Sequence, residues 1–192
     1  MRRCYAALIA VALVPVLTLG QEGPKAGSFG PAQAMADVIR SVTGTDIALI
    51  PAMMVKSESS STNLARLVNY PGDFLSVSEL TGSQIRAALN RSLSLYPSPN
   101  NGFLQVSGIE VTFNPAASSG SRVVSVLVGG AKLDDEKVYA VGMPISLAKG
   151  NYGYLNIWDK KAIKKTLEGT TLEQALEGLT GSVAEPRWKI VG

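Results

Sequence analysis

Short apolar runs typical of buried strands are mixed along this chain with amphipathic helical patterns, and the two do not alternate regularly. A first helix is predicted from Pro31, ending at Gly44, with an apolar face formed by Met35, Val38, Ile39 and Val42. A second is predicted from Ser83 to about Leu95. A third, capped by Thr170-Thr171 with Glu173 close to the capping-box position, is predicted through Leu179. Thr62-Asn63 are predicted to cap a short helix through Val68. Strands are predicted at 46–50, 74–80, 103–106, 109–113, 122–128, 138–141 and 188–191, with a tight turn or bulge at Ser107-Gly108. Because strict βαβ alternation is absent, we predict an α+β (mixed α/β) fold, with a mixed β-sheet flanked by helices.

The N-terminus has the layout of an export signal. Met1-Arg2-Arg3 precedes an uncharged apolar run from Tyr5 to Leu19, and the chain turns polar at Gln21. The run is shorter than the roughly 20 residues that a spanning helix needs. We therefore predict a signal peptide over 1–20, a flexible lead-in over 21–29, a folded domain over 30–192, and export to the periplasm, cell envelope or exterior. The alternative is an uncleaved N-terminal anchor, which would be the only membrane contact.

The composition excludes several kinds of chemistry. The chain has no histidine, so His-based nucleophile pairs and His-ligated zinc or dinuclear metal sites are excluded. Its single cysteine, Cys4, lies in the predicted signal. No basic cluster with interleaved aromatic residues is present, which argues against nucleic-acid binding. We predict no cofactor and no catalytic or metal-ligating residue.

Some local patterns do not by themselves indicate a function. Ser146 and Lys149 have the S-x-x-K spacing of Ser-Lys hydrolases, but no S-D-N or K-T-G motif accompanies them. The acidic run 134–136 lacks EF-hand spacing and is typical of a solvated turn. Trp158 and Trp188 are interpreted as packing anchors, and Met53 and Met54 as core or interface residues.

Several segments in order resemble one known family, the C-terminal domain of the 5'-nucleotidases. The matching segments are ADVIR at 36–40, TGTDIA at 43–48, ELTGSQIR at 79–86, GFLQVSG at 102–108, GSRVV at 120–124 and TTL at 170–172. The resemblance spans roughly 30–191 and implies that family's fold. In the family, a separate metallophosphoesterase domain holds two metal ions and hydrolyses the phosphate, while the C-terminal domain binds the nucleoside. The resemblance therefore implies a stand-alone recognition domain without the catalytic one.

The positions that grip the nucleoside in the family differ here. The family's Asn-Gly-Gly-Gly-Ile-Arg loop corresponds to residues 51–56, which read PAMMVK. Its first stacking Phe falls on Pro71 beside Tyr70, its second on Ser146, and its sugar-binding Asp on Tyr152. Stacking rings contribute on the order of 1–3 kcal/mol each. We therefore expect the family's mode of nucleoside binding to be lost.

Three functions follow from this interpretation. The first is an exported non-catalytic domain with a degenerate or rebuilt small-molecule site, for which the candidate residues are Lys56, Tyr70, Asn151 and Tyr152. The second is the substrate-recognition subunit of a split 5'-nucleotidase in nucleotide catabolism, whose partner is a separately encoded metallophosphoesterase. The third is an envelope structural or interaction protein that uses the apolar loop 53–55.

Overall fold

The computed structural model describes residues 23–57 and 63–191. The predicted signal peptide and Thr62, predicted to help cap a helix, lie outside the described residues. The helices span Gly30–Thr43 (α1), Gly82–Ser92 (α2), Ile145–Ala148 (α3) and Leu172–Leu176 (α4). The strands span Ile47–Pro51 (β1), Phe74–Thr81 (β2), Leu104–Ser107 (β3), Ile109–Phe113 (β4), Val123–Val128 (β5), Ala131–Lys132 (β6), Val138–Pro144 (β7), Ile163–Thr171 (β8) and Trp188–Ile190 (β9).

The strands form two sheets. A five-stranded sheet has the order β3-β1-β7-β2-β8, and a four-stranded sheet has the order β6-β5-β4-β9. Each sheet contains one parallel pair, β1 with β7 and β4 with β9, among antiparallel pairs. Mixed sheets with flanking helices confirm the predicted α+β class.

One glycine joins the two sheets. β3 belongs to the first sheet and β4 to the second, and only Gly108 separates them. Gly108 has a φ of 77°, and a Cβ there would lie 2.1 Å from the carbonyl oxygen of Asp46. Any side chain would therefore clash with the backbone that enters β1. The predicted turn or bulge at Ser107-Gly108 is in fact the point where the chain passes from one sheet to the other.

The larger sheet separates two apolar clusters. Alternate residues of β1 belong to different clusters, with Ile47 and Leu49 in one and Ala48 and Ile50 in the other. This is the period of two that a strand buried on both faces produces. The first cluster takes in α2, the second sheet and both tryptophans, which confirms the tryptophans as packing anchors. The second is formed by α1, α4 and the segment that follows β1.

Several elements differ from the sequence-based predictions. The short helix predicted through Val68 is a 3-10 turn over Ala65–Leu67, and α3 and β6 have no predicted counterpart. α2 ends at Ser92 rather than near Leu95. α4 ends at Leu176 rather than Leu179, because Glu177 is already extended, with a ψ of 132°. β8 has no counterpart among the predicted strands. It is an edge strand paired only with β2, and its mixed burial does not give the simple alternation by which strands are recognised.

The segment 23–29, predicted to be a flexible lead-in, is hydrogen-bonded to β3. The Gln105 side chain donates from Nε2 to the carbonyls of Pro24 (2.9 Å) and Gly27 (2.6 Å). Its Oε1 accepts from the amide of Phe29 at 3.1 Å. Gln105 is fully buried, so these bonds satisfy a side chain that would otherwise be costly to bury.

Candidate functional site

The loop that follows β1 is fastened to the core by a methionine. A short 3-10 helix spans Ala52–Met54, and Met54 is fully buried in the second apolar cluster. Met53, its neighbour, is only partly buried and faces a surface pocket. The two methionines predicted to be core or interface residues therefore divide these roles between them. A loop anchored in this way has little of the freedom that a run of glycines would give.

Backbone hydrogen bonds connect this loop to two neighbouring segments. The Ala52 amide donates to the Phe103 carbonyl at 2.7 Å, and the Met53 amide donates to the Asn101 carbonyl at 2.9 Å. On the other side, the Lys56 amide donates to the Leu67 carbonyl at 2.8 Å. The loop is therefore fixed between the segment before β3 and the segment before β2.

Asn69 completes that second junction. The backbone amide of Asn69 donates to the Met54 carbonyl at 2.9 Å, and its side-chain Nδ2 donates to the Met53 carbonyl at 2.8 Å. Asn69 thus fixes the loop backbone and also contributes to the pocket wall.

The resulting pocket has a volume of about 600 Å³, within the range of small-molecule sites. Its walls come from the lead-in, the loop after β1, the segment before β2 and the segment before β3. The lining residues are Lys25, Ala52, Met53, Val55, Lys56, Ser57, Asn69, Tyr70 and Asn101. Of the four predicted site residues, Lys56 and Tyr70 meet here, and 47% of Tyr70 is exposed on the rim.

Asn151 and Tyr152, the other two predicted site residues, do not line this pocket. They lie in the 3-10 turn Asn151–Gly153, where Asn151 is exposed and Tyr152 has a φ of 62°. Tyr152 is the one residue other than glycine with a positive φ among those described. A tyrosine in this conformation is uncommon, so the surrounding contacts must hold it there.

A small polar cluster holds Tyr152. Tyr152 Oη lies 3.3 Å from Ser146 Oγ. The Ser146 hydroxyl donates to Asp73 Oδ2 at 2.5 Å. Burial raises the pKa of Tyr152, the hydrogen bond with Ser146 lowers it, and the charge of Asp73 raises it again. The Ser146 hydroxyl is thus engaged by Asp73 and Tyr152, and no bond to Lys149 accompanies the S-x-x-K spacing in the described structure.

Sequence reasoning did not single out Lys25, Asn69 or Asn101 as site residues. Each comes from a different segment, and only the tertiary hydrogen bonds described above bring them together. Lys25 lies in the predicted lead-in, and Asn101 lies in a Pro/Asn-rich turn. Neither position carries a local signal that distinguishes it from an ordinary loop residue.

The acidic turn 134–136 has structural partners. Asp135 pairs with Arg86 at 2.9 Å, and Asp134 Oδ1 accepts from the Glu136 amide at 3.0 Å. Within 23–57 and 63–191, no group of three or more Asp, Glu or Cys side chains is placed to hold a metal ion. In the same residues no helix is long and apolar enough to cross a membrane.

Comparison with known proteins agrees with this architecture. The family described as "5'-nucleotidase, C-terminal domain" matches residues 21–160. The 5'-nucleotidase of Bos taurus is 34% identical over 107 residues, which are 52% of this chain and 18% of that protein. The 5'-nucleotidase of Diplobatis ommata is 36% identical over 91 residues, 43% of this chain and 16% of that protein. This chain therefore spans less than a fifth of the length of these relatives.

Solved structures share the fold. The 5'-nucleotidase precursor from Thermus thermophilus superposes with a TM-score of 0.73 at 25% identity, covering 88% of this chain and 36% of that one. The Haemophilus influenzae NAD nucleotidase superposes with a TM-score of 0.64 at 17% identity, covering 87% and 36%. The two-sheet architecture is thus one that these larger nucleotidases contain. Since the family model matches well over half of the residues, the chain belongs to the 5'-nucleotidase C-terminal domain family.

Proposed function

We propose that this domain is a ligand-recognition module that binds a small molecule in the pocket between Lys56 and Tyr70 and performs no catalysis of its own. The observation that carries the proposal is that these two residues, predicted from sequence, line one pocket with Asn69 and Asn101. A concave site with a few convergent polar groups and one aromatic ring is the usual form of a ligand pocket. The absence of histidine from the chain supports the non-catalytic part.

Nucleosides are not the expected ligands. The loop that is glycine-rich in the family pattern is here anchored by Met54, and Met53 forms part of the wall. The positions of the second stacking ring and of the sugar-binding carboxylate hold Ser146 and Tyr152, which are bonded to each other. We therefore propose that the site is rebuilt for another ligand.

Calorimetry and thermal-shift screens against nucleosides, nucleotides, sugars and small organic acids test this function. For any ligand found, Tyr70→Ala is expected to weaken binding about tenfold or more through loss of stacking. Val124→Ala, which alters a similarly exposed side chain on the second sheet, is the matched control and should leave binding unchanged. Tight adenosine or AMP binding would contradict the rebuilt site, and absence of any hit would contradict the module.

A second candidate is the recognition subunit of a split 5'-nucleotidase. It is favoured by the match of residues 21–160 to the C-terminal domain of the 5'-nucleotidases. A metallophosphoesterase supplied as a separate chain would then be its partner. Co-purification from the source cells, followed by AMP hydrolysis by the pair and by the phosphoesterase alone, tests this. Equal rates without association would exclude it.

We further propose that the protein is exported and that its N-terminal signal is removed. The proposal is supported by the order of segments in residues 1–21, where basic residues are followed by an apolar run and then by a polar residue. Fractionation of cells, with N-terminal sequencing of the recovered protein, tests both parts. A chain that begins at Gln21 in the exported fraction is expected, whereas an intact Met1 in the cytosol would contradict the proposal.

A further inference from the structure

Among the described residues that line the pocket, two are basic and none is acidic. Lys25 and Lys56 are the basic lining residues, and the other polar lining residues are Ser57, Asn69, Tyr70 and Asn101. This is a marked bias in a chain whose basic and acidic residues number 18 and 15. Uncompensated positive charge in a concave wall favours anions.

Within the described residues, neither lysine is neutralised by a carboxylate. The ion pairs of the structure involve Lys164 with Glu79, Lys189 with Glu110, and two arginines with aspartates. Lys56 Nζ donates one hydrogen bond, to the Arg66 carbonyl at 2.9 Å. An ammonium carries three donors, so the partners of Lys56 Nζ among the described residues leave two donors for a ligand.

The position of Lys25 is fixed by the backbone around it. Its carbonyl accepts from the Asn100 amide at 2.9 Å, and the Gln105 side chain binds the carbonyls of Pro24 and Gly27 on either side. Gly23 packs close to Ser57, with 3.3 Å between the hydroxyl and the position of a Cβ on Gly23. The lead-in is therefore held against the loop that carries Lys56, which lowers the ordering cost of binding.

From this arrangement we propose that the pocket is an anion site, in which Lys25 and Lys56 bind the carboxylate or phosphate of a small organic acid. The amides of Asn69 and Asn101 fix its orientation, and Tyr70 covers the unsaturated part of the molecule. This inference rests on the proposed function and adds the chemical class of the ligand. It also assigns a binding residue, Lys25, to a segment that sequence patterns assign to a linker.

Matched pairs of probes separate charge from shape. Phenyl phosphate is compared with phenol, and benzoate with benzyl alcohol, by calorimetry or ligand-observed NMR. Hydrogen bonds to charged groups contribute enough for the anion to bind about tenfold tighter than its neutral counterpart. This preference should shrink as ionic strength rises from about 10 mM to about 150 mM, because the pocket is open to solvent.

Variants assign the preference to the two lysines. Lys25→Gln and Lys56→Gln are each expected to reduce the preference for the anionic probe severalfold. Lys25→Arg keeps the charge and should retain most of that preference. Lys132→Gln is the matched control, because Lys132 is an exposed lysine without an ion pair in the described structure. An equal effect of Lys132→Gln would overturn the assignment.

The outcomes distinguish this inference from the proposed function. If anionic and neutral probes bind equally well and Tyr70→Ala weakens both, the pocket binds ligands but is not an anion site. If no probe binds, and the wider screen also finds nothing, both proposals fail. A preference for anions that survives in the Lys25→Gln, Lys56→Gln double variant would place the anion site elsewhere on the molecule.

Discussion

At the scale of single residues, Tyr154 combines full burial with two side-chain hydrogen bonds and a stacked ring. It is fully buried, its Oη donates to the Gly102 carbonyl at 2.6 Å and lies 3.1 Å from Ser92 Oγ, and its ring stacks on Trp158 with centroids 4.9 Å apart. Gly102 directly follows the pocket residue Asn101. Tyr154 thus links the 151–154 turn to the segment that carries the pocket residue Asn101.

Tyr154→Phe is therefore expected to lower the free energy of unfolding by about 1–3 kcal/mol, because it removes a donor from a buried carbonyl and a partner from a buried hydroxyl. Urea denaturation at neutral pH measures the change. Tyr70→Phe removes the same hydroxyl from an exposed side chain and should change stability by less than about 0.5 kcal/mol. Equal effects of the two variants would show that the buried bonds contribute nothing.

The residues of the candidate site are only partly predictable from sequence. Lys56 and Tyr70 follow from the departures of this sequence from the family pattern, because an altered loop still occupies the same place in the fold. Lys25 and Asn101 carry no such signal, since their position depends on bonds between segments far apart in sequence. Tyr152 is predicted on the same grounds as Tyr70, but its hydroxyl is directed to Ser146 by a positive φ that no sequence pattern indicates.

At the scale of elements, two helices begin with the same capping motif. Thr81 Oγ1 accepts from the Gln84 amide at 3.2 Å, and Gln84 Oε1 accepts from the Thr81 amide at 3.0 Å, which forms a capping box at the start of α2. Thr171 and Gln174 repeat it at α4. The sequence pattern predicts the cap at Thr171 and places Glu173 close to the capping-box position. In the structure, Gln174 takes that position.

Thr81→Ala should destabilise the fold by about 1 kcal/mol, since it leaves one amide of the first turn of α2 without its acceptor. Thr81→Ser keeps the oxygen and is the matched control. Urea denaturation gives the total change, and amide exchange shows whether protection is lost in the first turn of α2. Identical behaviour of the alanine and serine variants would mean that the cap has no energetic role.

Prediction of the elements is accurate where burial is periodic. α1 is predicted to end at Gly44, and Gly44 caps it in the left-handed conformation with a φ of 64°. The fully buried β1 is also recognisable, because its apolar run is short and lies between turn-forming residues. β8 escapes prediction because half-buried and exposed residues follow one another in it without a period of two, and only pairing with β2 makes it a strand.

At the scale of the whole molecule, burial of tyrosines couples stability to alkaline pH. Burial raises the pKa of Tyr154 strongly and that of Tyr152 to a smaller degree, because the phenolate is poorly solvated in both places. In the unfolded chain, both phenols titrate near pH 10. Folding therefore favours the neutral phenols, and their contribution to stability is intact below about pH 10 and is lost as the pH rises towards the folded-state pKa values.

The unfolding free energy of the native protein is accordingly expected to be steady up to about pH 9 and to fall above about pH 10, by up to about 1.4 kcal/mol per pH unit from Tyr154. The informative quantity is the difference in unfolding free energy between the native protein and Tyr154→Phe, because it isolates the contribution of the Tyr154 phenol. That difference should narrow as the pH rises from about 9 to about 11. If urea denaturation at several pH values instead gives parallel curves for the two proteins, the Tyr154 phenol is not the group that couples folding to alkaline pH.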